Sequence, residues 1–566
     1  LQGRQVAITA GSTIVANTLG NEPGGSISLI SSELLEITES VVDADVGFAA
    51  TGSGATITAN APRLILTSGG QISTATFGTG TSGELTVNAN EIEVMDISPD
   101  GQNLSGIFTD VLPGATGRGG DITINTQNLK LLNGGQLGAN VFGAGQGGNL
   151  TVNATEIEAS DTIVFETTDP QQQLLLESLN GQFPSAILAL VIPEATGNSG
   201  KLTINSDRIV LRNGAQIGTG TFGAGDSGEL AVKAREIEVS GTSEDGFLPS
   251  SFFTTVLLGA TGKGGNLTID TQSLTLQNGG QVRAGTSGVG DSGDVTVTAK
   301  EINLQGSFAN DILLLPSTIQ AAVEDFSAVA PSGIGSGDGG QILITTDRLT
   351  VEDGGTISAR TEGEGKGGNI EINATDIEVN NGFIAADSNE SAEIIRTGDG
   401  GNLTINTQNL MLTNGGLILA STSSEGKGGN IEINATEIEA VGISPDGQSS
   451  SGINSQVALG STGDGGNLTI DTQRLILRDG AVVQAAVFSS GQGGNITVNA
   501  EQIELLGNAS SENLLPETSP LVPLVEGING EVPSSLLTTV LPGATGNGGN
   551  LAINTQSLQL KDEVKT

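Results

Sequence analysis

Histidine, cysteine, tryptophan and tyrosine are all absent from the 566 residues, and the remaining aromatic side chain, phenylalanine, contributes 2% of them. Without His or Cys there is no Ser-His-Asp triad, no thiol nucleophile, no His or Cys zinc site and no disulfide framework. Carboxylates, amines, guanidinium groups and hydroxyls are the chemistry left. Charge is scarce as well, at 15% of residues, and uneven in sign: 63 acidic against 21 basic side chains give a net charge of −42. That sign opposes nucleic acid and anionic membrane surfaces, so no nucleic-acid partner is expected. No run approaches the ~18 to 20 apolar residues of a membrane helix, and no transmembrane segment is expected. The opening LQGRQVAITAG has neither the basic nor the apolar region of a signal peptide.

What is abundant is glycine, 86 residues, beside a hydrophobic fraction of 36%. The chain is too long for one compact core, which asks for several domains or a repeat architecture. The glycines decide, because they recur in two alternating segments. One reads GGDITINTQNLKLLNGGQL from Gly119 and GGNLTIDTQSLTLQNGGQV from Gly264; the other reads GGNLTVNATEIEA from Gly147 and GGNIEINATDIEV from Gly367. The step from the first type to the second is constant, 28 residues from Gly120 to Gly148 and again from Gly401 to Gly429. The return step varies, from 33 residues between Gly368 and Gly401 to 55 between Gly494 and Gly549. One unit is therefore a bare turn of structure and the other accepts insertions, placed at about 161–184, 242–250, 306–337, 380–396 and 507–533.

Each unit carries three short strands, in one case Ile122–Asn125, Leu129–Leu132 and Gln136–Val141, and no helical period. Ile122, Ile124, Leu129, Leu131, Ile269, Leu274, Ile405 and Leu410 are expected to point inward, and Thr123, Lys130 and Thr268 outward. Three strands per ~28 residues make one coil of a parallel β-helix, an all-β solenoid of about 15–17 coils running from residue 1 to 566. Aligning the two unit types gives a column that runs Arg63, Glu91, Asn128, Glu156, Arg208, Glu236 and, later, Glu301, Arg348, Asp376, Asn409, Glu437, Arg474. Acids seldom follow acids, as in-register stacking requires. Phe77, Phe142, Phe222 and Phe488 share one position and are read as corner packing residues rather than a sugar platform.

These units, with the linking segments PSSFFTTVLLGATGKGG from Pro249 and PSSLLTTVLPGATGNGG from Pro533, resemble the repeat region of filamentous-haemagglutinin-like exoproteins of two-partner secretion systems, particularly the cyanobacterial ones. The resemblance covers nearly the whole chain without the family's amino-terminal secretion domain. It implies a right-handed parallel β-helix, export through an outer-membrane partner pore, and a secreted or cell-surface adhesin. The expected function is thus a structural or adhesive rod whose loops contact cells, matrix or polysaccharide. A polysaccharide-active lyase or hydrolase and a passive spacer stalk remain the alternatives. Because the chain enters and leaves in mid-pattern, it is expected to be part of a larger protein.

Three further motifs are read as architecture. Asn after the Gly pair, as in Asn149-Leu150-Thr151 and Asn266-Leu267-Thr268, suits an amide ladder between coils better than glycosylation. Asp226, Asp291, Asp338, Asp399 and Asp464 beside the Gly pairs suit solvated turns, with weak surface calcium the only cofactor considered. Paired carboxylates such as Glu156 and Glu158 recur in almost every second unit, whereas catalysis needs one non-repeating constellation. No catalytic, cofactor-binding or metal residue is assigned, and no enzyme is expected.

Overall fold

The computed structural model describes residues 1–164, 181–310, 314–324, 335–388, 397–510 and 531–561. Among these residues every regular element is a strand. The chain divides into two units, the first made of Leu1–Ala284, Gly288–Gly293 and Phe308–Leu315, the second of Gly285–Ser287, Asp294–Ser307 and Pro316–Thr566.

In unit 1 a coil has three strands, seen in Ile122–Asn125, Asn128–Leu132 and Gln136–Gly138, the last followed by a bridge at Val141. The first and second strands pair in parallel with their counterparts one coil away, Ile122 with Leu150 and Asn128 with Glu156. Third strands form a separate parallel sheet, in which Gln136 pairs with Gly106 on one side and Ala186 on the other. Unit 2 is built alike: Ile342–Glu352 pairs in parallel with Ile370–Asn380, and Thr356–Ser358 pairs with Phe383–Ala385. Both units are parallel β-helices.

The alternation of apolar and polar residues sets which side chains fill the interior. Ile122, Ile124, Leu129, Leu131, Ile269 and Leu274 of unit 1, and Ile405 and Leu410 of unit 2, are all buried. Lys130 and Thr268 are exposed and Thr123 is half-buried, so the expected strand phase is correct. Each such Leu or Ile contributes roughly 1.5 to 3 kcal/mol by leaving water, and the same term repeats coil after coil.

The Gly pairs stack on one edge within each unit. A Cβ on Gly120 would collide with the backbone carbonyl of Gly83, one on Gly148 with that of Gly120, and one on Gly200 with that of Gly148. In unit 2 Gly368, Gly401 and Gly429 meet the carbonyls of Gly340, Gly368 and Gly401 in the same way. Successive coils approach too closely there for any side chain, which accounts for the mark by which the repeat is recognised. The turn between second and third strands also selects its residues: Asn133 and Gly134 have φ of 47° and 82°, the left-handed values that favour Asn and Gly.

Polar side chains beside these turns bond from coil to coil. Asn402 Nδ2 donates to Asn369 Oδ1 at 3.3 Å, Asn430 to Asn402 at 3.0 Å and Asn495 to Asn467 at 3.0 Å, which is the amide ladder expected after the Gly pair. A second ladder runs through Asn88, Asn125, Asn153 and Asn205 of unit 1 at 2.9 to 3.0 Å. The turn carboxylates are used similarly. Asp226 accepts the Lys263 N–H at 2.8 Å, Asp338 that of Lys366 at 2.9 Å, Asp399 that of Lys427 at 2.9 Å and Asp464 that of Gln492 at 3.1 Å, while Asp291 pairs with Lys263 at 3.3 Å.

Residues 165–180 of the expected insertion 161–184, 311–313 and 325–334 of 306–337, 389–396 of 380–396 and 511–530 of 507–533 lie outside the described residues. Two of these spans hold more than added residues. Span 306–337 contains the third strand Thr318–Gln320, and span 380–396 contains the third strand Phe383–Ala385.

Candidate functional site: a groove on the outer face of unit 1

In several coils of unit 1 the short turn before the third strand is replaced by an antiparallel excursion. Ile97 bridges Leu104, Thr162–Val164 pairs with Gln182–Pro184, and Thr242 bridges Pro249. A serine ends each one. Ser185 Oγ donates to the Ser160 carbonyl at 2.7 Å and accepts the Gly134 N–H at 3.0 Å; Ser250 does the same with Ser240 and Gly214, at 2.8 and 2.9 Å. A column of glutamines holds the excursions to the sheet, through Gln71 Nε2 to the Leu104 carbonyl at 2.9 Å and Gln136 Nε2 to the Pro184 carbonyl at 3.2 Å. The turn of the first excursion is Pro99-Asp100-Gly101, with Gly101 at φ 71°.

The excursions cover part of the sheet's outer face, and there the sequence stops alternating. Ala186–Val191 reads AILALV and is buried along its whole length. Ile187, Ala189 and Val191 fill the interior, while Leu188, Leu190 and Ile192 join Phe183 and Phe253 in an outer cluster against which Ile97, Leu104, Phe142, Ile163 and Phe222 pack. An unbroken apolar run is what a strand covered on both faces shows.

Between the excursions and the coil corner this face leaves a groove of about 300 Å³. Phe108, Leu188 and Leu190 line it together with Leu104 and Phe183 of the excursions and Leu112 and Phe142 of the corner. Phe108 rests on the backbone of Gly106 and Gly138, since a Cβ at either glycine would collide with its ring. Gln71, Gln102, Asn103, Gln136 and Asn140 add carboxamides, Asp45 and Asp110 add carboxyls, and among the described residues no Lys or Arg lines the groove.

Asp45 and Asp110 stand on one outward column. Asp110 pairs in register with Ala75, and the Ala75 N–H donates to Asp45 Oδ1 at 2.8 Å. Asp110 Oδ1 in turn accepts the Asn140 N–H at 2.9 Å, and Asn140 Oδ1 accepts that of Leu190 at 3.2 Å. Burial pushes the Asp110 carboxyl up to about 7 against this hydrogen bond. Asp45 is pushed up to about 8, first by burial and then by a hydrogen bond and charge shared with Asp43. In unit 2 Asp387 also rises through burial, but there Arg360 opposes the shift.

The four aligned phenylalanines occupy the corner, as expected. Phe142 and Phe222 donate their N–H groups to the carbonyls of Val111 and Val191, at 2.7 and 2.8 Å. They pack on the outer cluster rather than on the end of the interior core, and Phe142 thereby reaches the groove. Phe77 instead meets Phe48, with ring centroids 4.9 Å apart. Glu156 and Glu158 lie on the other sheet, where each is paired with a cation: Glu156 with Arg208 at 2.9 Å and Glu158 with Lys130 at 4.0 Å. Asp45 and Asp110 are the groups that repeat-based reasoning passed over. The traceable signals were that one column carries Asp45 and Asp110 with Ala75 between them and that the run Ala186–Ile192 does not alternate. No protein-family model, curated protein or solved structure matches the chain.

Proposed function

We propose that the chain is a structural and adhesive β-helical part of a large secreted or cell-surface exoprotein, exported through an outer-membrane partner pore and contacting a polysaccharide or another cell-surface ligand. The observation that carries this reading is the division of labour in unit 1. The repeat interior and the side-chain ladders build a scaffold, while the added residues converge on one outer face and frame its groove. Variable segments on a rigid repeat scaffold are where partner contact concentrates. Export fits the composition too, because a chain without cysteine has no covalent links to obstruct passage unfolded.

A second reading, a polysaccharide hydrolase, draws on Asp45 and Asp110, two carboxyls that line one groove. They are two coil steps apart, about 9.6 Å along the stack, near the upper limit of the ~6.5 to 9.5 Å used by inverting glycosidases. Retention of the purified chain on bacterial cells and on insoluble polysaccharide, with the release of reducing ends followed in parallel, tests both. Retention without release supports the adhesive reading; release would replace it with the enzymatic one, and the absence of both would overturn the two together.

A further inference from the structure

The groove permits a more specific statement, which rests on the adhesive reading and names its ligand. We infer that the groove of unit 1 is a binding subsite for a neutral glycan, with Phe108 as the face on which a sugar ring lies and Asp45, Asp110 and Asn140 as its hydrogen-bonding partners.

Three observations converge on that chemistry. First, Phe108 lies against the sheet backbone at Gly106 and Gly138, so its ring is braced from beneath by residues that have no side chain. A braced aromatic ring beside Leu188 and Leu190 offers the apolar face that the C–H side of a hexose covers. Second, the polar lining is mostly carboxamides and carboxyls, with the Ser73 hydroxyl: the planar groups can accept hydroxyl protons, and the carboxamide NH₂ groups can donate to hydroxyl oxygens. Third, the charge in the groove is of one sign. Among the described residues Asp45 and Asp110 stand there without Lys or Arg, on a chain of net charge −42, and would repel a uronate or a sulfate ester. The upward displacement of both carboxyls by burial also means that near neutrality they are partly protonated, which suits hydroxyl partners better than an ammonium group.

A volume of about 300 Å³ is at the small end for ligand pockets, room for one or two sugar rings rather than a long stretch of chain. Affinity at one such subsite is modest, and the adhesive strength of the exoprotein would come from multivalent contact.

The test is an array of immobilised neutral, amine-bearing and uronate- or sulfate-bearing oligosaccharides, probed with the full chain and with Phe108→Ala and Asp110→Ala. Circular dichroism melting confirms that each variant is folded, and Glu432→Gln, an exposed site in unit 2, serves as the unaffected control. The inference predicts retention on neutral glycans alone, weakened at least about tenfold by each groove variant. Retention confined to charged glycans, or neutral binding that both folded variants leave unchanged, would overturn the groove assignment while leaving adhesion intact. Cell adherence that survives glycan removal and is abolished by protease treatment would assign a protein ligand and overturn it as well. No retention on cells or on any glycan would remove the adhesive reading itself.

Discussion

Arg208 Nη1 lies 2.9 Å from Glu156 Oε1 across a sequence separation of 52 residues, and its other nitrogens reach Glu236 at 3.7 Å and Glu238 at 3.3 Å. One guanidinium thus serves the coils on both sides. Arg63 does the same kind of work with Glu91 and Glu93 of one neighbouring coil, and Arg474 in unit 2 reaches Glu437 and Glu504. These pairs are partly solvated, so their worth lies in fixing register more than in stability. Arg208→Ala is expected to lower stability by about 1 kcal/mol or less. In denaturant titrations the difference from the parent chain should shrink in 1 M salt; a loss of several kcal/mol, or one insensitive to salt, would contradict this.

The interior should respond quite differently. Leu131 is fully buried, and its neighbour Lys130 is exposed on the opposite face. Leu131→Ala is expected to destabilise by about 2 to 5 kcal/mol, and Lys130→Ala by no more than about 0.5 kcal/mol. Denaturant midpoints of the two variants check the strand phase one residue at a time. Similar losses at both positions would show that it is wrong.

Stability should also depend on pH through the groove. The Asp110 carboxyl stands at about 7 in the folded chain, well above its value when unfolded, so the folded state holds a proton that the unfolded state releases. The stabilising contribution is therefore fully present below about pH 4 and is lost as pH rises through about 7. Asp45 acts in the same direction up to about 8. Thermal unfolding between pH 5 and pH 8.5 should show stability falling as these groups ionise. Asp110→Asn should flatten part of that fall and raise stability at the alkaline end; an unchanged slope would show that the carboxyl is not held in a buried environment.

The repeat made the scaffold readable, and the same repeat hid the site. Ile122, Ile124, Leu129 and Leu131 announce their side of the strand by alternation, and the predicted column Arg63, Glu91, Asn128, Glu156, Arg208, Glu236 is paired in register step by step in unit 1. The later part, from Glu301 through Arg348, Asp376 and Asn409 to Glu437 and Arg474, pairs likewise in unit 2. Such features depend on neighbouring coils that carry equivalent residues. The groove depends on features that not every coil carries: Asp45 faces Ala75, which faces Asp110, and the wall comes from excursions present in some coils and not in others. Judging carboxylates by Glu156 and Glu158, which do repeat, directed attention to the sheet opposite in role. Ser105, Ser185 and Ser250, which close the excursions by bonding the turns, are a recurrent signal that strand periodicity alone does not reveal.

In-register stacking of the coils underlies both the scaffold and the groove, and cysteine trapping measures it most directly. The chain has no cysteine of its own, so introduced pairs report without interference. Thr123 and Thr151 are register partners on adjacent coils, and their outward side chains are half-buried. Parallel neighbours ~4.8 Å apart lie within the Cα separation a disulfide spans. Thr123→Cys with Thr151→Cys should oxidise readily to an intramolecular disulfide, whereas Thr123→Cys with Val152→Cys, whose second side chain fills the interior, should not. Efficient bonding of the second pair, or failure of the first in a folded chain, would contradict the register on which the account depends.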